Sequence, residues 1–225
     1  MAVQESITIL HLSDPQFGKN HRFGNLGLTE VDAQFDTLFQ RLSDDLAFLE
    51  KDKVKPQLVV VSGDLAEWGL KKEFEDVLTL LVKLTERLNL PRRHVVIVPG
   101  NHDVNRTLCE GYFSQCEGRE EKPVASYWPK WEFYNWLFQQ FYGEEKGITF
   151  SLEEPWTLWE LEELNLVVAG LNSTMSESHR DEDHYGWIGE KQLRWFAERL
   201  MQAKERGWFR LGVVHHNVQR EAVAG

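Results

Sequence analysis

The 225-residue sequence predicts an α/β fold with parallel strands. Three observations carry this expectation. Short runs of mostly β-branched and other apolar residues, 7–12, 58–62 and 95–98, read as buried strands. Between them the apolar residues recur at helical spacing, so that strand and helix alternate. Each strand run ends in a turn followed by residues that can bind a metal ion or move a proton, and strand-end loops are where α/β proteins keep their chemistry.

Taken in order, strand 7–12 runs into Ser13-Asp14-Pro15-Gln16. Residues 17–27 are rich in glycine and polar side chains and read as a loop, whose Lys19, His21 and Arg22 could reach a phosphate or could simply be solvated. Thr29 then reads as an N-cap, with Asp32 three residues on and Val31, Phe35, Leu38, Leu42, Leu46 and Leu49 on the inner face of a helix. Strand 58–62 ends in Gly63-Asp64. A second helix turns Phe74, Val77, Leu78, Leu81, Leu84 and Leu88 inward, and after Pro91 comes strand 95–98. Pro99-Gly100 stops that strand and presents Asn101, His102 and Asp103. Right-handed crossovers set such strands side by side with their carboxyl ends on one edge, which would gather Asp14, Asp64 and Asn101 into one cleft.

From 104 to 155 the character changes. Cys109 and Cys116 fall in what reads as a polar loop, match no paired zinc spacing, and are expected to be free thiols. Trp128, Trp131, Phe133, Tyr134, Trp136, Phe138, Phe141 and Tyr142 follow, most of them in one helix starting near Pro129. They lie nearly all the way round it, which suits a helix buried on several sides better than a lid that stacks on substrate. Residues 156–161 and 166–170 read as an antiparallel hairpin on a second sheet. His179 and His184, in the charged loop 176–186, receive no role. A helix over 190–206 turns Leu193, Phe196 and Leu200 inward, before strand 211–214 delivers His215 and His216.

With 42% apolar and 27% charged residues the chain suits one large domain with a single core, 1–225. A net charge of −11 disfavours a nucleic-acid partner held by general electrostatic attraction, although a local basic groove stays open. The start of the chain lacks the pattern of a signal peptide and no window reaches transmembrane length, so a cytoplasmic protein with no membrane partner is expected.

Convergence of Asp14, Gln16, Asp64, Asn101 and His215 would create a metal centre. Asp64 could bridge two divalent ions through its two oxygens, with Asp14 and Gln16 on one ion and Asn101 and His215 on the other. Mixed oxygen and imidazole ligands lean to Mn²⁺, Fe or Zn²⁺. Two such ions can hold a phosphoryl oxygen and activate a water, the chemistry of a phosphate-ester hydrolase. His102, beside a ligand but not needed as one, is then placed to protonate the leaving oxygen or to stabilise the charge building on it. Asp103 could orient His102 or tie down the turn.

These residues resemble the motifs of the calcineurin-like metallophosphoesterase superfamily, here as Asp14-Pro15-Gln16, Gly63-Asp64, Gly100-Asn101-His102-Asp103 and His215. The resemblance runs from the first strand to the end of the chain. It implies a four-layer α/β sandwich, a dinuclear metal centre and His102 as the catalytic histidine, with His216 behind the ligands. Two departures are visible. Gln16 stands where the family has a histidine; an amide oxygen can still bind a metal, or Gln16 is only a turn residue. The family's final Gly-His-x-His is absent from the sequence, so the chain is expected to be the front part of a longer protein, lacking the C-terminal end of the fold and followed by a downstream domain, rather than a naturally shortened, catalytically impaired relative. The function expected is metal-dependent hydrolysis of a phosphodiester or nucleotide phosphate ester. The alternative is a non-catalytic nucleotide-binding or regulatory module of a larger protein, with an impaired metal site.

Overall fold

The computed structural model describes residues 6–20, 30–143 and 145–217, with backbone alone for 30–37. The expected roles of His21, Arg22, Thr29, Val31 and Phe35 fall outside what is described.

Three parallel strands form the first sheet in the order β1 (Ile9–Leu12), β2 (Leu58–Val61), β3 (Val95–Ile97). β2 is central and buried along its whole length, as its unbroken Leu-Val-Val-Val requires. The links are helices α1 (Glu30–Lys51) and α2 (Lys71–Leu88). α2 begins where Glu73 reaches back to accept the Leu70 and Trp68 amides at 2.9 and 3.0 Å, and it ends at Asn89 in the left-handed region, φ 52°. Its inner face is Phe74, Val77, Leu80, Leu81, Leu84 and Leu88; Leu80 belongs there and Leu78 is only partly buried. In α1, Leu46 is buried, but Leu49 is exposed where its carbonyl accepts from the amides of Asp52 and Val54.

The second sheet has the order β4 (Thr157–Leu161), β5 (Leu166–Leu171), β6 (Phe209–Val214), the first pair antiparallel and the second parallel. Alternation along β5 sends Leu166 and Val168 into the main core and Ala169 and Leu171 toward a smaller cluster under α5 (Glu190–Glu205). Gly170 lies against the first sheet: a Cβ on it would sit 3.1 Å from Val98 Cγ1. The two sheets therefore pack face to face, with α1 and α2 outside one and α5 outside the other, an α/β sandwich of four layers.

Two further expectations are corrected, at α3 and at α5, and the expected burial of the aromatic helix is met. Cys109 and Cys116 sit in a helix, α3 (Arg106–Gly118), capped by Asn105 Oδ1 on the Leu108 amide at 2.9 Å; both are buried and free. Residues 128–142 form a 3-10 turn and then α4 (Glu132–Tyr142), and the aromatics fill the core rather than close over the cleft. Tyr134 and Tyr142 donate their hydroxyls to the Ile97 and Val95 carbonyls at 3.2 and 2.5 Å, which satisfies polar groups at the edge of β3 and fixes α4 beside it. On α5, Leu193 is exposed, and Gln192, Phe196 and Ala203 make the inner face. Gln192 displaces it because both ends of its amide are satisfied in the core, Oε1 accepting the Asn172 amide at 2.7 Å and Nε2 donating to the Asn172 carbonyl at 3.0 Å.

Among the described residues, no helix is long and apolar enough to cross a membrane.

Candidate metal centre

The carboxyl ends of β1, β2 and β3 open on one edge, because three parallel strands cannot do otherwise. Beyond them the loops stay side by side: the Asp14, Gln16 and Phe17 amides donate to the carbonyls of Gly63, Asp64 and Leu65 at 3.2, 2.8 and 2.7 Å. Asp14, Gln16 and Asp64 all adopt left-handed backbone, φ 55°, 45° and 53°. None is glycine, so each costs strain that the surroundings must hold, and such strain gathers at functional sites.

The second sheet supplies the remaining element. β6 ends at Val214, and His215 reaches across to the first sheet. One ligand atom each from Asp14, Asp64 and His215 lies within 4.8 Å of the other two. His215 Nε2 is 3.0 Å from Asn101 Oδ1 and 3.4 Å from Asp64 Oδ1. Its other nitrogen, Nδ1, is 2.9 Å from the Ser62 carbonyl. A carbonyl can only accept, so Nδ1 carries a proton, and in that tautomer of the neutral ring the lone pair sits at Nε2. The Asp64 carboxylate, the Asn101 amide oxygen and an Nε2 lone pair of His215 make a donor set that a divalent cation takes.

Small residues make the approach possible. A Cβ on Gly100 would lie 2.2 Å from Asp64 Oδ1, and one on Gly63 would lie 2.6 Å from His215 Nδ1. The donor set, the tautomer and this close packing all fit a divalent ion. Gln16 is in place as well, its Nε2 donating to Asp64 Oδ2 at 3.4 Å; half a turn of the amide would present Oε1 instead. All five residues expected as ligands thus meet at one edge.

His102 stands beside them. Its amide donates to Asp64 Oδ1 at 2.9 Å, and its Nδ1 donates to the Glu67 carbonyl at 2.7 Å, which leaves Nε2 for chemistry. Asp103 does not orient it. Asp103 is fully buried and accepts the Gly100 amide at 2.8 Å and the Ala66 amide at 2.9 Å, so its work is to tie down the turn. Burial, and then the charge of Asp64, push its carboxyl well above the ordinary carboxylate range.

His216 faces away from the acceptors. Its Nδ1 is 2.8 Å from Ser173 Oγ and its Nε2 is 3.8 Å from Glu177 Oε1. Burial, and then the neighbouring His215, lower its pKa. Behind it, the loop 173–177 is held by Lys130, whose Nζ donates to the carbonyls of Thr174, Met175 and Glu177 at 2.8, 3.1 and 2.6 Å. Burial brings that ammonium down to about 7.

The sequence reading missed Ser62 and Glu67. Both act through backbone carbonyls, which leave no trace in residue type. It also missed Lys130, hidden among the aromatics.

The family described as calcineurin-like phosphoesterase matches residues 7–221. No curated protein matches the chain.

Proposed function

Because the chain belongs to the calcineurin-like phosphoesterase family, we propose that it is a metal-dependent hydrolase that cleaves a phosphodiester or a nucleotide phosphate ester. The observation that carries this reading is the meeting of Asp14, Asp64 and His215 within 4.8 Å at the carboxyl edge. Asp64, with Asp14 and Gln16 on one side and Asn101 and His215 on the other, would hold divalent ions here; Mn²⁺, Fe and Zn²⁺ suit these donors. Bound there, such ions polarise the phosphoryl oxygens and lower the pKa of a water.

The protein's own groups do the rest. The Ser62 carbonyl accepts from Nδ1–H and so aims Nε2 of His215 at the site. Asp103 pins Gly100, which keeps Asn101 and His102 at a fixed distance from Asp64. The Glu67 carbonyl holds His102 Nδ1–H, so Nε2 is the atom that carries a proton to the departing oxygen. The two free, buried thiols agree with the cytoplasmic location that forms part of this reading.

The test is hydrolysis of bis-p-nitrophenyl phosphate and p-nitrophenyl phosphate with Mn²⁺. We expect turnover that EDTA abolishes, with His102→Ala lowering kcat by roughly 10²- to 10⁴-fold while Mn²⁺ still binds. Bound metal without turnover of either ester would end the catalytic reading.

A further inference from the structure

We propose that Trp187 is the stacking platform of a nucleobase subsite beside this centre, so that the ester cleaved carries a nucleoside; the proposal rests on the hydrolase reading. Most indoles of this chain are buried or packed on the core; Trp187 is 50% exposed and Trp68 59%. The place of Trp187 is fixed from three sides. Its amide donates to the Ser173 carbonyl at 2.8 Å, and Ser173 Oγ is the partner of His216 Nδ1, next in the chain to His215. Gly186, immediately before it, is pressed on His216: a Cβ there would lie 2.5 Å from His216 Cβ.

The ring itself rests on Gly189. A Cβ at Gly189, where φ is +83°, would come within 3.2 Å of the indole, so the absence of a side chain there lets the ring pack close on the residue. An aromatic ring supported by backbone on one side and half in water is already ordered for stacking, so little side-chain entropy is lost when a base lands on it. Tyr185, also exposed at 54%, flanks Gly186 from the other side.

Nucleobases are the flat apolar bodies that travel attached to phosphate esters, and every base offers a π-face. The ligand is a short one. A net charge of −11 does not suit a long polyanion, and one platform beside one centre accommodates a single nucleoside.

The experiment compares two diesters with the same leaving group, thymidine 5′-p-nitrophenyl phosphate and methyl p-nitrophenyl phosphate. We expect the thymidine ester to have the lower KM. Trp187→Ala should raise that KM about tenfold, within the range that loss of base stacking gives, and leave the methyl ester unchanged, with Trp187→Phe restoring most of the difference. Equal effects on both esters, or none, would overturn the proposal. If neither ester is hydrolysed, the hydrolase reading fails and the subsite is judged by fluorescence titration with thymidine 5′-monophosphate. Saturable quenching lost in Trp187→Ala then supports the subsite, and its absence from the unsubstituted protein overturns it.

Discussion

His215 Nε2 lies 3.0 Å from Asn101 Oδ1, although 114 positions separate them and they leave different sheets. Nδ1–H donates to the Ser62 carbonyl, so in the neutral ring both Nε2 and the Asn101 oxygen offer lone pairs, which a cation between or beside them would satisfy. The cleft is thus the point where the two sheets are stitched together, and metal binding should be felt by the whole fold.

Thermal unfolding reads that coupling directly. At Mn²⁺ one hundred times its Kd, a ligand of the native state alone adds about 2.7 kcal/mol, which raises Tm by roughly 5–10 °C in a domain of this size. Asp64→Asn and His215→Ala should lose the shift. His216→Ala should keep most of it, since His216 bonds to Ser173 and not to the acceptors. An equal shift in all three variants would mean that Mn²⁺ binds elsewhere.

Two glycine substitutions should act in opposite directions. Gly100→Ala puts a methyl 2.2 Å from Asp64 Oδ1 and 2.4 Å from the Asp64 amide, so Asp64 must move and metal affinity should fall at least tenfold. Gly111→Ala, on α3 with nothing within 4 Å, should stabilise the protein by about 0.5–1 kcal/mol and leave metal binding alone. Calorimetric titration with Mn²⁺ and urea unfolding check the two.

Lys130 gives stability a pH dependence. Burial lowers its pKa to about 7 from 10.5, so between these values the unfolded chain holds a proton that the native state has released. Stability rises with pH wherever the unfolded state binds more protons. The difference in unfolding free energy between the protein and Lys130→Met should therefore grow in favour of lysine from about pH 7 to pH 10, by on the order of a few kcal/mol. A flat difference measured in urea with EDTA present would show that the native ammonium keeps its proton throughout.

The sequence by itself determined the strand and helix alternation, the parallel first sheet and the edge on which Asp14, Asp64 and Asn101 appear. Those follow from local rules, since β-branched runs, helical periodicity and right-handed crossovers leave little choice of arrangement. It also named His215, from its place after strand 211–214, but its contact with Asn101 comes from the packing of one sheet on the other, because no local pattern relates residues 114 positions apart. Periodicity failed where polar residues are buried: Gln192 takes a core position from Leu193 because the backbone of Asn172 satisfies its amide. It failed again at α3, whose cysteines lie among polar residues and two glycines that blur the apolar face. Only the tertiary structure decided that Asp103 pins the turn while the carbonyls of Ser62 and Glu67 set the two histidine tautomers. Every residue carries a carbonyl, so which one meets an imidazole is fixed by the packing of one sheet on another.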